Sequence, residues 1–316
     1  MATHVLHFEH AGERRWGIVE GNRITPFEGT HTTTGEFLRA HEDGALRTAA
    51  STLDRSAVQL LSPVTRNQQF ICQGANYRQH MIESGLDPDA KTFNMIFRKA
   101  SSCIVAADAD VIRPRHVTLL DYEIELGLVL KRDIDRAIDI GEDALHRYVA
   151  GIVIVNDYSA RDVQIPQMQF YKGKSYRSFG PVGPCLCLLD EQDFALIGDL
   201  RLRLTVNGEE RQADSTANLV FGPAETLSEL SALQDLYCGD LIATGTPAGC
   251  ALRVPSALLV KLMGLLPERV KWHAFVRAQS RRREYLRDGD VVEARIASVD
   301  GRIDLGTQRN TVVPAA

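Results

Sequence analysis

The chain of 316 residues lacks an uninterrupted apolar run long enough to cross a bilayer. The most apolar-rich stretch, Ala251 to Leu266, carries Arg253, Pro255 and Lys261, with Pro267 just beyond it, so a membrane partner is not expected. Charge of one dominant sign is lacking too. Thirty-six Lys plus Arg stand against 41 Asp plus Glu, a formal net charge of -5, which offers no field to gather phosphate backbones and argues against nucleic acid. The basic cluster Arg281-Arg282-Arg283, with Arg277 and Arg287, is broken by Glu284 and Asp288 and reads as a solvated helix face. Cysteines are few, six in all, and none has C-x-x-C spacing, which removes zinc-ribbon and dithiol redox readings. Cys185 and Cys187 sit in an apolar run and read as core thiols. The first residues, with Glu9, Glu13, Arg14 and Arg15, hold no apolar stretch of signal-peptide length, so the cytoplasm is the expected location.

What is present is ordinary globular usage: 44% hydrophobic and 24% charged residues, in a chain long enough for a sizeable core. Val5 to Pro26 reads as short strands, and a helix is expected from Thr34 to about Ala50, capped by Thr33 or Thr34. A polar turn from Ser62-Pro63 to Gln69 then precedes Phe70-Ile71-Cys72. This places a boundary between a small α+β unit, residues 1-62, and a larger unit, residues 63-316.

In the larger unit strands dominate: Glu123 to Leu130, Val149 to Val155, Pro184 to Leu189, Leu200 to Val206, Asp240 to Thr244 and Val291 to Ile296. Asn207-Gly208, Asp288-Gly289 and Asp300-Gly301 supply turns. Helical patterns are fewer, near Gly141 to Tyr148 and Pro223 to Leu233, which predicts a β-rich α+β fold and argues against a doubly wound parallel sheet.

Two features carry chemistry. In Asp121-Tyr122-Glu123-Ile124-Glu125-Leu126 the two-residue strand period puts Glu123 and Glu125 on one face, opposite Ile124 and Leu126. Two like charges about 4 Å apart cost about 4 kcal/mol at an effective dielectric of about 20, and a cation would offset that. Further on, the apolar run Gly151 to Val155 ends in Asn156-Asp157, followed by Tyr158-Ser159-Ala160-Arg161-Asp162-Val163-Gln164, which puts another carboxylate at a strand end.

Together these segments resemble the fumarylacetoacetate hydrolase superfamily, from roughly Leu61 to Val313, and Phe97 to Ser102 is part of the likeness. The resemblance implies a mixed β-sandwich roll in the larger unit and three carboxylate metal ligands, Glu123, Glu125 and Asp157, with Asp162 not a ligand. Oxygen-only ligation suits Mg²⁺, with Mn²⁺ or Ca²⁺ able to replace it. Lys174, Arg161, Gln164 and Thr246, in Gly245-Thr246-Pro247-Ala248-Gly249, match the family's substrate-contacting positions.

Gly74 to Glu83 resembles the family's G-x-N-Y-x-x-H-x-x-E lid segment, whose His80 and Glu83 would share a helix face as a base and its orienting carboxylate. The reaction implied is hydrolytic C–C cleavage of an acylpyruvate-like or other 1,3-dicarbonyl acid through a metal-stabilised enolate and a water activated by His80 and Glu83, assisted by Lys174. Decarboxylation of an oxaloacetate-like acid, hydration or isomerisation uses the same parts, and a catalytically silent binding homologue is the remote alternative. A homodimer is also implied. One departure is the long connection from about 250 to 287, in which helix is expected.

Overall fold

A computed structural model of the chain describes residues 2-254 and 261-316. Part of the long connection, 255-260, lies outside the described residues, and beyond it a helix runs over Glu268–Gln279.

The fold is strand-rich α+β, as expected. An eleven-stranded sheet runs in the order Leu53–Asp54, Arg23–Pro26, Glu13–Glu20, Thr3–His10, Leu186–Leu188, Val149–Asn156, Ile124–Leu130, Leu241–Ala243, Phe70–Gly74 and Met95–Lys99, with Gln59–Leu61 pairing Thr3–His10 off that path. A second, five-stranded sheet orders Glu209–Ser215, Leu200–Val206, Val291–Ser298, Asp304–Pro314 and Val111–Arg113. Strands of the first 62 residues thus join the sheet of the later part, through the register Val5↔Leu186.

The centre of the large sheet is apolar on both faces. Ile124, Leu126, Leu128, Ile152 and Ile154 belong to one core cluster, while Val129, Val153, Val155, Leu241 and Ala243 belong to another. Burial of that kind is why these segments read as near-continuous apolar runs. Gly127 is required at their crossing, because a Cβ there would lie 2.7 Å from a Val153 methyl and 2.8 Å from a Val155 methyl.

The N-terminal helix is shorter than its pattern suggests. It covers Thr34–Glu42, opens on a Thr33/Glu36 capping box, and stops where Asp43 caps it and Gly44 turns into the left-handed region (φ +64°). The segment expected as helix near Gly141 is a 3₁₀ turn, Glu142–Arg147.

Candidate active site

The antiparallel register builds the site. Ile124 pairs with Asn156 and Glu125 with Val155, so the ends of two central strands bring Glu123 level with Asp157. The Asp157 N–H donates to the Glu123 carbonyl at 2.8 Å, and the Asn156 side-chain oxygen accepts from the Glu123 N–H at 3.0 Å. Carboxylate oxygens of Glu123, Glu125 and Asp157, all buried, lie within 4.8 Å of one another.

Three cations surround this cluster. Arg161, at the start of the Arg161–Gln167 helix, hydrogen-bonds Glu123 and reaches Asp121 Oδ2 at 2.8 Å and Gln164 Oε1 at 2.7 Å. Lys174, ending the Phe170–Lys174 helix, hydrogen-bonds Glu123 and reaches Asp157 Oδ2 at 2.6 Å. Gly173 permits that approach, since a Cβ there would lie 2.8 Å from the Gln164 Cα and 2.9 Å from its backbone nitrogen.

Lys99, at the end of Met95–Lys99, hydrogen-bonds Asp157 and donates to the Phe179 carbonyl at 2.7 Å, with its side chain fully buried. Nothing in the sequence alone assigns Lys99 a role. The available signal was a lysine closing a strand inside a family-like segment, at a register position facing Phe70.

Asp121 also belongs to this network, but its oxygens are occupied. Oδ1 accepts from the Tyr122 and Ala251 N–H groups at 2.9 and 2.7 Å, and Oδ2 from Arg161 and the Leu252 N–H. It anchors Arg161 and the beginning of the long connection. Asp162 stands apart, accepting from the Thr118 N–H at 2.6 Å and from its hydroxyl at 2.8 Å.

These contacts divide the carboxylates. Burial alone would raise Glu123, but Arg161 and Lys174 hold it down to about 2. Glu125 is pushed well above the carboxylate range by burial and by Asp157 and Glu123, with the Lys174 charge and the Gly245 N–H at 3.0 Å opposing. Lys174 is raised despite its burial, chiefly by Asp157 and Glu123, and so stays an ammonium.

Four carboxylates thus face three cations, and the one in excess, Glu125, has the least compensation. A hard dication fits this set: the donors are all oxygen, converge from two strands, and carry a negative excess that such an ion would reverse.

A cavity of about 280 Å³ opens onto the cluster, lined by Glu123, Glu125, Arg161, Gln164, Lys174 and Thr246, with His80 over it. The structure therefore brings the expected substrate-side residues together. Gln164 gives its oxygen to Arg161 and leaves its amide N–H groups for a ligand. The Thr246 hydroxyl donates to the Ile124 carbonyl at 2.9 Å and accepts from Gln212 Nε2, so it shapes the wall more than it offers a free proton.

His80 sits on the short helix Arg78–Glu83, and burial lowers its imidazole, with Glu123 opposing. Glu83 is exposed, lines a neighbouring cavity of about 400 Å³, and makes no hydrogen bond with His80. Asn76 anchors the base of this segment, donating to the Phe221 and Thr244 carbonyls at 3.1 and 2.9 Å.

The match of residues 69-313 to the model of the fumarylacetoacetate hydrolase C-terminal domain agrees with this fold and site: the chain belongs to that family. A mitochondrial oxaloacetate tautomerase of Bos taurus is 35% identical over 254 residues, 78% of either chain. An oxaloacetate tautomerase of Bacillus subtilis (strain 168) is 36% identical over 197 residues, 61% of this chain and 64% of that relative, so the chain spans just under two thirds of it. A 2,4-didehydro-3-deoxy-L-rhamnonate hydrolase of a Sphingomonas strain is 34% identical over 79% of this chain and 75% of its own length. Among solved structures, a fumarylacetoacetate hydrolase from psychrophilic Exiguobacterium antarcticum superposes with a TM-score of 0.73 at 28% identity, covering 99% of this chain and 100% of that one. Among the described residues no helix is long and apolar enough to cross a membrane.

Proposed function

We propose that the protein is a divalent-metal-dependent enzyme that enolises a small 2-oxo acid, exchanging a proton between C3 and the C2 oxygen. The carrying observation is the His80 imidazole, held below its ordinary value by burial, lining one cavity with Glu123 and Glu125 while Glu83 makes no hydrogen bond with it. A free imidazole suits reversible proton transfer. Activation of a water by a dyad would call for the carboxylate to orient it.

Glu123, Glu125 and Asp157 would hold a dication, with Mg²⁺ the best match, and that ion would supply positive charge to stabilise the enolate. The chain's own residues do the rest. His80 takes the C3 proton, breaking C–H, and the C–H electron pair forms the C2=C3 bond as the carbonyl oxygen becomes an enolate oxygen. Lys174 and the Gln164 amide donate hydrogen bonds to that oxygen. Return of the proton to oxygen completes the enol, and the reverse path regenerates the ketone. The 280 Å³ cavity lies just under the roughly 300–1,000 Å³ typical of drug-sized ligands, which suits a small acid. The relatives named oxaloacetate tautomerases support this class of reaction.

A second reading, hydrolytic C–C cleavage of an acylpyruvate, keeps the support of the His80-x-x-Glu83 spacing and of the hydrolase among the relatives. Product analysis separates the two. With Mg²⁺, enolisation predicts accelerated loss of enol absorbance from oxaloacetate, abolished by EDTA, and no cleavage of acetylpyruvate. Release of acetate and pyruvate from acetylpyruvate would establish the hydrolase instead, and CO₂ with pyruvate from oxaloacetate a decarboxylase.

A further inference from the structure

The cavity has two unlike ends. Its charged end is Glu123 and Glu125 with Arg161 and Lys174, and both of these cations already pair with carboxylates, Arg161 with Asp121 and Glu123, Lys174 with Glu123 and Asp157. Its apolar lining is formed by Leu86, Met95, Phe97, Ile165, Phe170 and Leu252, all half-buried. The Phe97 and Phe170 rings pack at 5.1 Å between centroids, and Lys174 Nζ lies 5.2 Å from the centre of the Phe97 ring. This aromatic pair therefore begins where the charged end stops. Apart from Arg161 and Lys174, which already pair with carboxylates, no Lys or Arg among the described residues lines this cavity.

A substrate anchored by its 2-oxo carboxylate at the triad would project its C3 substituent toward Phe97 and Phe170. A second carboxylate placed there would leave water without a cation to meet it. An apolar group would instead bury surface against six side chains that are incompletely covered without it.

We infer that the preferred substrate is a monocarboxylic 2-oxo acid carrying an aromatic or branched-alkyl group at C3, in place of a dicarboxylic acid. This rests on the enolisation reading above. Full burial of a side chain of that size is worth about 10- to 100-fold in binding.

The test is exchange of the C3 hydrogens for deuterium, followed by proton NMR with the Mg²⁺-loaded wild-type protein. Phenylpyruvate, 4-methyl-2-oxopentanoate and oxaloacetate are compared, each corrected for its exchange without enzyme. The inference expects kcat/KM for the two apolar acids at least tenfold above that for oxaloacetate. A Met95→Arg variant, checked for wild-type melting behaviour, is expected to reverse that preference by placing a cation on the apolar wall. Oxaloacetate exchanged as well as or better than the apolar acids by the wild-type protein would overturn the inference and leave enolisation standing. Exchange of none of the three would overturn enolisation itself.

Discussion

Lys174 Nζ lies 2.6 Å from Asp157 Oδ2 and also hydrogen-bonds Glu123, so one ammonium bridges two of the three carboxylates of the triad. The bridge holds the ligand set together, and it also places a positive charge beside the expected cation position. Removing that charge in Lys174→Met should make Mg²⁺ bind more tightly, by about tenfold, while turnover falls about 10²-fold or more through loss of the oxyanion donor. Calorimetric titration and steady-state rates on the same preparation check the two signs. Weaker Mg²⁺ binding would make Lys174 a support for the ligands that does not oppose the cation.

Glu125 provides a test by pH. Its folded-state pKa is raised by burial and by Asp157 and Glu123, so folding favours its protonated form. The sign follows: cation-free stability is full below the ordinary carboxyl pKa and declines as pH rises from there toward the raised value. Glu125→Gln, which keeps an acceptor for the Gly245 N–H, should remove that decline and melt no lower than wild type near neutral pH. The same variant should lose most Mg²⁺ affinity. In the wild-type protein a proton competes with the cation, so affinity should rise with pH, with calorimetric heats that depend on the buffer.

His80 and Glu83 separate the two readings of the chemistry. His80→Ala should lower turnover by about 10²- to 10⁴-fold. Glu83→Gln should change enolisation less than about threefold, because Glu83 makes no hydrogen bond with the imidazole. With His80 depressed by burial, kcat/KM should fall on the acid side with a midpoint below the ordinary imidazole value of 6.5. A Glu83→Gln loss as large as that of His80→Ala would return the pair to a dyad and favour hydrolysis.

Lys99 and Asp157 form a fully buried ion pair. Lys99→Met leaves Asp157 short of a donor, a change that costs about 3–5 kcal/mol when a buried pair loses one partner. Added Mg²⁺ should restore part of that loss in a thermal melt, since the cation would then compensate the carboxylate. Gly173→Ala acts through geometry: its Cβ would press on the Gln164 backbone, and moving Lys174 should cost turnover along with about 1–3 kcal/mol of stability.

Much of this architecture is legible in the chain because local signals agree with one another. Leu200–Val206 alternates in its first half, Leu200 and Leu202 buried and Arg201 and Arg203 exposed, and runs into Asn207-Gly208, whose positive φ angles make the hairpin expected of that pair. Pro223–Leu233 begins with proline in its first turn, and its bounds match the pattern. The triad is legible for a similar reason, because strand period and antiparallel register fix where Glu123, Glu125 and Asp157 meet.

What escapes depends on contacts distant in sequence. Lys99 acquires its role only when Met95–Lys99, paired with Phe70–Gly74 at the edge of the large sheet, carries its last side chain to Asp157, and Asp121 is occupied by backbone donors 130 and 131 positions away. The spacing of His80 and Glu83 allows a shared face, but a helix of six residues leaves Glu83 in solvent. The N-terminal helix stops early because Gly44 enters the left-handed region, whereas the sequence pattern could continue past it.

Titration of Mg²⁺ into wild-type and Asp157→Asn protein by calorimetry asks whether Glu123, Glu125 and Asp157 hold the cation. A single site is expected in the wild-type chain, with release of a proton, and affinity at least tenfold weaker in the variant. Equal affinity in both proteins would show that the cation is held elsewhere, and Glu123, Glu125 and Asp157 would then be a buried ion network with no metal to serve.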